Sequence, residues 1–598
     1  MAKTFGQFLV NEVMPDDMQV SGPMTQKDLY GKIYEMARRD PKDAAKRIDD
    51  LRFLGHELAT TEGFSLGLDD ITPDPRAKKI TKATMLKIKD VQDPDKRREI
   101  IGQAEKEMLK LAPEHPGSLG EMLRAGARGK AIQLTRTVNS QMHALDPVTE
   151  KPFPWFIPRS YSEGLKPSEY WLANAESRTN LINARVGVTE PGAAAKVFVN
   201  NMNSQMILSE DCGTDNGVMM STEDSNIADR YLARPEAGMP KNKLITPHAM
   251  SQLRKKADHV MVRSPMTCEL NDGICQKCYG LNEFGQAHDL GTNVGVRSAQ
   301  ALTEPITQFT ISARHGVRGT SEDSKIVGGL KGMQQLVDIP KSFINKATLS
   351  TLEGEVGKID KAPQGGHHIH VGAEKFYVPP FLDPIVQSGD RVTPGDALSN
   401  GIPRPDEIVQ YKGLGAGRQY LVDRMHDIFK KDRGLDIDKR HLEVLARSHL
   451  NYVRVENDPE RRFHPGEVVN YSTLLRALKD DADTVPTKEA IGQVMASGHM
   501  HHAAGTTVTP EIADELKANH IKEVMVARTP PTVSFFMRPL TRNPLLNPDW
   551  MARLGHRYLK DSILEGVHTG QLSDIHGTHP APAFAYGAEF GKGKGGRY

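Results

Sequence analysis

The sequence predicts an α+β multidomain protein with a mainly helical N-terminal half. Residues 25–60 and 92–145 have the apolar spacing of amphipathic helices and many opposite charges four residues apart, as in QKDLYGKIYEMARR. Short β-like runs such as HHIHVG and FYVPPFL, separated by turns such as SGDRVTPGD, follow after residue 340. The length of 598 residues is enough for roughly three to five domains of ordinary size.

The predicted helices are separated by segments rich in proline and glycine. The aromatic loop DPVTEKPFPWFIPRS ends the first helical region, and a second helical stretch runs from residue 165 to about 207, interrupted by the Pro191-Gly192 pair. A cysteine-bearing region and a glycine-punctuated segment precede the β-like runs. We expect helix again at 415–450 and 546–566, and no packed structure in the tail HPAPAFAYGAEFGKGKGGRY.

Charge and composition favour a cytoplasmic protein. Lys plus Arg number 77 against 76 Asp plus Glu, so the net charge of +1 gives no overall basic field, and any nucleic-acid contact has to be local. No run of about 18 apolar residues occurs, and the N-terminus MAKTFGQFLVNEVMPDD reaches acidic residues before a signal-like stretch develops. Four cysteines are too few for a disulfide scaffold in a chain of this size.

The four cysteines carry the strongest chemical signal. Cys268, Cys275 and Cys278 lie in TCELNDGICQKCYG, whose CxxC pair presents two thiolates on a tight turn, and Cys212 in EDCGT is available as a fourth ligand. This pattern predicts a zinc ion that is structural, because four thiolates leave no position for water. The alternatives are buried thiols without metal or a redox pair, although the turn-like flanks do not favour a thioredoxin-like unit.

Two histidine-rich patches also invite a metal interpretation. They are HHIH at 367–370 and HMHH at 499–502, and neither has a closing carboxylate in its sequence pattern. Histidines in this arrangement are more often surface residues. We therefore interpret both patches as surface chemistry.

Two short segments share a weak repeated sequence pattern. Thr246-Pro247 followed by VMV at 260–262 is matched by Thr509-Pro510 followed by VMV at 524–526. Each copy predicts a helix started by proline that leads into a short strand. The pattern is too common to indicate a function.

Four ordered blocks resemble the C-terminal part of the largest (β′) subunit of multisubunit DNA-dependent RNA polymerase. CELNDGICQKCYGLNEFGQAHDLGTNVGVRSAQALTEPITQFTISARHG is similar to the segment from the second zinc site into the trigger loop. GLKPSEYWLANAESRTNLINARVGVTEPGAAAKVFVNNMNSQMILSEDCGT resembles the bridge helix and first zinc cysteine. GFSLGLDDI and RAGARGKAIQL resemble segments before that helix, and GDRVTPGDALSNG and DIDKRHLEVLARSHL resemble the region after the trigger loop. The resemblance covers about residues 50 to 480.

The resemblance implies a division of the chain into eight parts. These are a helical N-terminal region with a GARG turn (1–158), a bridge helix (159–211), a zinc-bound segment (212–295), a trigger-loop region (296–340), a β-rich, barrel-like module (341–415), a helical module (416–480), a small α/β module (481–530), and a clamp-like helix with a flexible tail (531–598).

The resemblance also implies that the catalytic Mg²⁺ is held by another chain. The family holds this ion with the carboxylates of NADFDGD, and the sequence contains no such motif. We therefore expect a split β′ subunit that is inactive alone. Its expected partners are an N-terminal β′ fragment with NADFDGD, β-like subunits, α-like or specificity factors, a DNA template, the RNA product and nucleoside triphosphates.

Among the known sources of split β′ subunits, we favour a bacteriophage. Split β′ subunits occur in cyanobacteria and plastids and in large bacteriophages. Between the trigger-loop halves this sequence has only RGTSEDSK, where the cyanobacterial and plastid forms carry a long insertion. Such a chain would act in the host cytoplasm or be packaged in the virion.

The trigger loop implies the residues that act on the nucleotide. In TQFTISARHG the matching positions are Gln308 for the ribose, Ile311 for packing on the base, and His315 for the phosphates, as a cation or proton donor. The family usually has Arg where Ser312 stands, and Arg314 is a candidate replacement for that charge. Without the family pattern, the loop would be interpreted as a solvated surface loop.

Three further basic residues are candidates for phosphate contacts. Arg128 in the GARG turn matches a family position near the incoming triphosphate, and its guanidinium suits phosphate oxygens. Arg178 and Lys196 in the bridge helix are candidates for nucleic-acid backbone contacts, with surface salt bridges as the alternative. The Pro191-Gly192 pair is either a hinge or the first turn of a second helix.

Two other classes of protein remain as alternatives. One is a non-catalytic, zinc-containing nucleic-acid-binding regulator derived from polymerase modules. The other is a zinc hydrolase or deaminase, which needs an open metal site with a glutamate base, and the deaminase pattern H-x-E with P-C-x-x-C is absent from the sequence.

Overall fold

The computed structural model describes residues 4–63, 65–146, 152–185, 189–270, 273–312, 329–433, 437–547, 550, 553 and 559–570. The chain divides into two compact units, the first made of residues 1–189 and 310–322 and the second of residues 190–309 and 323–598. Within the described residues, no helix is both long enough and apolar enough to cross a membrane.

The first unit is mainly helical within its described residues, as the sequence predicts. Its α-helices are α1 (Phe5–Val13), α2 (Gln26–Arg39), α3 (Pro41–Thr61), α4 (Pro75–Ile88), α5 (Pro94–Leu111), α6 (Gly117–Arg124), α7 (Ala131–Val138) and α8 (Pro167–Arg185). Short 3₁₀ helices lie at Asp16–Met18, Asp69–Ile71 and Ala112–Glu114.

Three of these helices begin at Asp-Pro pairs. Asp40, Asp74 and Asp93 are the N-caps of α3, α4 and α5, and each carboxylate accepts hydrogen bonds from backbone N–H groups of the first turn. The proline that follows has no N–H group to leave unsatisfied and has a φ angle suited to a helix. Local sequence therefore determines where these helices start.

The helical prediction for 92–145 is wrong at its C-terminal end. Helix α7 ends at Val138, and the backbone N–H groups of Gln141 and Met142 donate to the carbonyls of Arg159 and Ile157. The chain leaves the helix because these extended pairings with a distant segment satisfy the backbone groups instead.

A buried ion pair fixes α8 within the first unit. Arg136 of α7 lies 2.7 Å from Glu176 of α8, and the second oxygen of Glu176 accepts the backbone N–H of Leu145 at 3.1 Å. Both charged side chains are largely buried. On the same helix Tyr170 and Trp171 are exposed.

The second unit mixes helices with small sheets, which confirms the α+β prediction. Its helices are α9 (Thr189–Met202), α10 (Pro247–Leu253), α11 (Gln276–Tyr279), α12 (Val294–Ser312), α13 (Gly329–Asp338), α14 (Pro405–Arg433), α15 (Lys439–His449), α16 (Tyr471–Asp480), α17 (Pro510–Ala518) and α18 (Leu559–Thr569). Helix α9 starts at the boundary between the two units, and the last three residues of α12 are assigned to the first unit. Its 3₁₀ helices lie at Ser225–Ile227, Pro265–Thr267 and Leu540–Leu546.

Among the described residues, the strands of the second unit form five small sheets. The strands are β1 (Ile207–Ser209), β2 (Val218–Ser221), β3 (His259–Val262), β4 (Ile274–Cys275), β5 (Gly354–Lys361), β6 (His367–Val371), β7 (Glu374–Val378), β8 (Arg391–Val392), β9 (Tyr452–Asn457), β10 (Val468–Asn470), β11 (Ala482–Pro486), β12 (Glu523–Ala527) and β13 (Thr532–Phe535). The sheet orders are β1-β4, β2-β3, β7-β6-β5-β8, β10-β9-β13 and β11-β12, and only β1 and β4 are parallel.

One apolar core joins the central elements of the second unit. It contains buried side chains from α9, β3, α11, α12, α13, α14 and α15, among them Met202, Val260, Cys278, Leu302, Leu336, Met425 and Leu445. A segment near the C-terminus also contributes, because Leu540 is buried in the same cluster. The cysteine region and the start of α12 therefore share one hydrophobic support.

Two predicted helices can be compared with the structure. Helix α14 (Pro405–Arg433) consists of two helical segments that meet at a kink at Gly413, whose φ of 85° is not helical. The second segment agrees with the predicted helix start near 415, and the first segment is an addition to the prediction. Just after the kink, Gly415 allows a close approach, since a Cβ at that position would lie 1.8 Å from the His501 carbonyl oxygen. Helix α18 (Leu559–Thr569) covers the C-terminal part of the helix predicted at 546–566, and residues 548–549, 551–552 and 554–558 lie outside the described residues.

Candidate functional site

The four cysteines lie together in the second unit. Their Sγ atoms are all within 4.8 Å of one another, and those of Cys212 and Cys278 are 3.7 Å apart. Four thiolates at ~2.3 Å from one zinc ion in a tetrahedron would be ~3.8 Å apart. Cys268, Cys275 and Cys278 are buried and Cys212 is partly exposed. The donor set and its spacing therefore fit a closed tetrathiolate metal site.

A short parallel strand pair brings the distant cysteine to the other three. Ser209 of β1 pairs with Cys275 of β4, so the chain leaving β1 reaches Cys212 beside the CxxC turn. The backbone N–H of Cys275 points at the Cys268 sulfur, and that of Cys278 at the Cys275 sulfur, each at 3.4 Å. Such N–H groups stabilise thiolates and orient them toward a shared ion.

A buried arginine contacts the sulfurs, and no sequence pattern indicates this contact. Arg263 is fully buried, and its Nη2 lies 3.1 Å from Cys212, 3.5 Å from Cys275 and 3.3 Å from Cys278 Sγ. Its Nη1 pairs with Asp211 at 2.6 Å. Burial alone would lower the pKa of Arg263, but the surrounding sulfurs outweigh it and raise that pKa above its ordinary value. A divalent ion with four thiolates has a net negative charge, which this guanidinium would offset.

A second buried arginine holds the loop between the cysteines. Arg447 of α15 donates through both terminal nitrogens to four backbone carbonyls at 2.8–3.1 Å, those of Pro265, Cys268, Leu270 and Gly273. A planar guanidinium with a fixed fork of donors suits this task, whereas a lysine offers one nitrogen. Helix α15 therefore determines the shape of the loop that carries Cys268.

Helix α15 also contributes one side chain to a buried ion pair. Glu443 accepts two hydrogen bonds from Arg230, both of 2.8 Å, and a third from the Ser264 hydroxyl at 2.7 Å. Both charged side chains are almost completely buried. Because each of these two buried charges is the main partner of the other, losing one of them would leave a poorly compensated charge in the core.

The end of α9 and the start of α12 form a close junction. The N–H of Gly295 donates to the Gln205 carbonyl, and the Asn293 amide donates to the Asn203 carbonyl, each at 2.8 Å. A Cβ on Gly295 would lie only 1.7 Å from the Met202 carbonyl oxygen. The two helices can approach this closely only because position 295 is glycine.

We expect Gly295→Ala to destabilise the second unit by about 1–3 kcal/mol, because the added methyl group forces the two backbones apart. Urea unfolding would measure this loss, and hydrogen exchange should rise at the N–H groups of α9 and α12. Gly192→Ala is the matched control, since a Cβ at that exposed position meets nothing within 4 Å. The control should be neutral or stabilising by up to about 1 kcal/mol. Equal free energies of unfolding for the two variants would show that the close approach of α9 and α12 does not require glycine at position 295.

The predicted nucleotide-contacting residues fall at the end of α12 and beyond it. Gln308 and Ile311 belong to the helical backbone of α12, which ends at Ser312. Arg314 and His315 lie outside the described residues. Their roles therefore stay predictions from sequence.

The predicted phosphate-contacting residues are exposed. Arg128 lies in the turn between α6 and α7, between Gly126 and Gly129, whose φ angles are 66° and 84°. Arg178 on α8 and Lys196 on α9 are also exposed, and neither forms an ion pair with another described residue. The salt-bridge alternative is thus not supported within the described part of the chain.

The proline of the Pro191-Gly192 pair lies in the first turn of α9, which begins at Thr189. This position agrees with the prediction of a second helix that starts near Pro191, where a missing N–H costs nothing. Residues 186–188, which precede α9, lie outside the described residues.

The fold and the cysteine site together define an α+β protein in which the four cysteines, α9 and α12 share one core. Known proteins match this region. Residues 164–369, which include α9, the four cysteines and α12, match the family model described as RNA polymerase Rpb1, domain 5.

Curated relatives extend the similarity well beyond that segment. The DNA-directed RNA polymerase subunit beta′ of Pelotomaculum thermopropionicum is 27% identical over 515 residues, 78% of this chain and 43% of the relative. The same subunit of Desulforudis audaxviator is 26% identical over 79% of this chain and 44% of the relative, and that of Halalkalibacterium halodurans is 28% identical over 71% and 38%. The chain is homologous to bacterial β′ subunits and spans less than half of their length.

Proposed function

We propose that this chain is a subunit of a DNA-directed RNA polymerase and corresponds to the C-terminal part of β′. The observation that carries the proposal is the homology to bacterial β′ subunits over 78% of the chain, together with the family match over residues 164–369. Within that range, α9, the cysteine cluster and α12 share one core. In this proposal α8 and α9 form the bridge helix, and the end of α12 leads into the trigger loop.

The trigger loop would supply the side chains that act on the incoming nucleotide. Gln308 would contact the ribose, Ile311 would pack on the base, and Arg314 and His315 would contact the triphosphate. Closure of such a loop over a correctly paired nucleotide excludes water and brings these groups into place together, so that selection and rate are coupled. His315 would act as a cation or as a proton donor to the pyrophosphate leaving group.

The rigid support of α12 favours this role. Its N-terminal end is hydrogen-bonded, through Gly295 and Asn293, to the segment that directly follows α9, and its buried face packs in the central core. A loop that opens and closes needs a fixed base, because precise placement of its side chains depends on the element that carries them. The junction would provide that base.

Zinc is the metal that best fits the cysteine cluster. Cys212, Cys268, Cys275 and Cys278 would hold it, with Arg263 balancing the charge. A closed tetrathiolate site performs no chemistry on substrate and contributes to the local fold. Here it would join the segment after β1 to the segment before α12.

The remaining parts of the active enzyme would come from outside this sequence. The catalytic Mg²⁺ would be held by the NADFDGD carboxylates of an N-terminal β′ fragment, where it neutralises and positions the triphosphate. β-like subunits and α-like or specificity factors would complete the assembly, in the split form predicted for bacteriophages. Arg178 and Lys196 would contact the phosphates of DNA or RNA, and Arg128 those of the nucleotide.

The test is isolation of the full-length chain, carrying a tag, from its natural host cell. The co-purifying chains would be identified by mass spectrometry and the complex supplied with a DNA–RNA scaffold and nucleoside triphosphates. We expect a chain with NADFDGD, extension of the RNA by the complex, and no extension by the isolated protein. A complex lacking any NADFDGD chain would refute the split-subunit proposal.

A variant lacking residues 307–320 separates the polymerase from the alternative of a non-catalytic regulator. If the chain supplies the trigger loop, the complex should assemble around this variant but lose nearly all RNA extension. If a complex that contains the shortened chain in full amount extends RNA at the wild-type rate, the non-catalytic regulator is favoured.

A further inference from the structure

The hairpin tip at His499–His502 lies against helix α17 and meets a carboxylate there. His502 Nε2 is 2.9 Å from one oxygen of Glu515, and His501 Nδ1 is 3.7 Å from the other. One donor atom from each of these three residues lies within 4.8 Å of the other two. Among the described residues, this cluster and the four cysteines are the groups in which three or more potential metal ligands come together.

The hairpin tip is held in place by contacts on three sides. Reciprocal backbone hydrogen bonds of 2.9 and 3.0 Å join His499 and His502 across the turn. The N–H of Met500 donates to the side chain of Asn216 at 2.6 Å. On α14, Gly415 lies so close that a Cβ there would be 1.8 Å from the His501 carbonyl oxygen. The two imidazoles are therefore attached to a fixed backbone.

The carboxylate is positioned by the core that lies under it. Ala513 and Leu516 of α17 are fully buried in a cluster that also contains Met500 from the hairpin tip. Thr509 caps this helix by accepting the N–H of Ile512. Glu515 lies between the two buried positions and reaches the histidines, so one small core positions both halves of the cluster.

We propose that His501, His502 and Glu515 form a second metal site, separate from the cysteine cluster and specific for a borderline transition-metal ion such as Zn²⁺ or Co²⁺. Donors at ~2.0–2.2 Å from one ion lie roughly 2.8–3.6 Å apart. The three donor atoms lie within 4.8 Å of one another, and the 2.9 and 3.7 Å separations end on different oxygens of Glu515, so side-chain rotations would complete the geometry around one ion. Two imidazoles with one carboxylate favour such ions over Mg²⁺ or Ca²⁺, which prefer all-oxygen sites.

The site is partly open to solvent, in contrast to the cysteine cluster. The side chains of His501 and Glu515 are about one third exposed, while His502 is nearly buried. His501 also lines a surface depression with Asp423, Asp427 and Arg424, where carboxylates outnumber the guanidinium. Three protein ligands leave at least one position for water or another ligand, so we expect weaker binding than at the four thiolates. This proposal does not depend on the polymerase assignment.

The test measures metal content in the full-length protein without a histidine tag. Equilibrium dialysis against Zn²⁺ followed by elemental analysis should give two ions per chain for the wild type. Glu515→Gln and His502→Ala should each bind one. Asp514→Asn is the matched control, because that side chain is exposed on the same helix and forms an ion pair with Lys517 at 3.2 Å, away from the histidines. This variant should still bind two ions.

Cobalt identifies the ligands of the second ion. Protein that already holds one Zn²⁺ should take up Co²⁺ with weak d–d bands and without the strong thiolate charge-transfer absorption of a cysteine site. These bands should be absent in Glu515→Gln, whose shape matches the wild type. One zinc per wild-type chain, or a second ion that both variants retain, would overturn the proposal.

Discussion

Replacing Cys275 with serine should remove about one zinc ion per chain and destabilise the second unit by several kcal/mol. Structural zinc in small peptides contributes about 10–16 kcal/mol of apparent binding free energy, and that energy is available only when the ligands are complete. Cys275 is buried and joins β4 to the CxxC turn, so its loss affects both the ion and the strand pair. Elemental analysis and urea unfolding measure the two effects.

Two further variants separate the ligand from its surroundings. Glu283→Gln changes an exposed residue beyond the CxxC turn and should leave the zinc content unchanged. Arg447→Lys keeps all four cysteines but loses the fork that binds the four carbonyls, so zinc affinity should fall by about 10–100-fold, the range for losing a supporting contact. Full zinc content in Cys275→Ser would rule out the four-cysteine site.

Truncation of His315 or Arg314 should lower the maximal elongation rate of the assembled complex by about ten- to a thousandfold. If these side chains contact the triphosphate only in the closed state, they stabilise the transition state more than the bound nucleotide. The apparent affinity for nucleotide should therefore change much less. Single-nucleotide addition on an assembled scaffold, measured by rapid quench, separates these two quantities.

The departure from the family pattern at Ser312 makes this experiment more specific. If Arg314 replaces the missing family arginine, Arg314→Ala should be nearly as damaging as His315→Ala, and adding Ser312→Arg to the Arg314→Ala variant should restore part of the rate. Arg318→Ala, a nearby arginine with no assigned role, serves as the control. Wild-type rates in both alanine variants would show that this loop is not a catalytic lid.

Local features of the sequence account for much of the fold. The Asp-Pro pairs at residues 40, 74 and 93 predict helix starts, because the cap and the proline act within one turn. The repeated pattern of Thr246-Pro247 and Thr509-Pro510 is confirmed as two helices, α10 and α17, each leading into a short strand. The CxxC spacing predicts shared ligands for a similar reason, since neighbouring thiolates on a tight turn are close whatever the rest of the chain does.

Long-range contacts were not predictable in this way. Arg447 is more than 170 residues from each carbonyl it binds, and no periodicity connects them. The histidine patch at 499–502 has no nearby carboxylate in sequence and therefore predicts only surface residues, yet packing of the hairpin tip against α17 brings Glu515 to it. Gly295 is one glycine among 52, and only the position of the Met202 carbonyl shows why a side chain is excluded there.

The sequence by itself determined the mixture of helices and sheets, the grouping of the four cysteines, and the resemblance to β′ on which the proposed nucleotide-contacting residues rest. These are properties of residues near one another in the chain, or of an order of motifs. Only the tertiary structure determined which charges support the cysteines, how closely α9 and α12 approach, and which carboxylate faces the second histidine patch. The physical reason is that burial and donor geometry depend on the elements packed around a residue, and those elements come from distant parts of the chain.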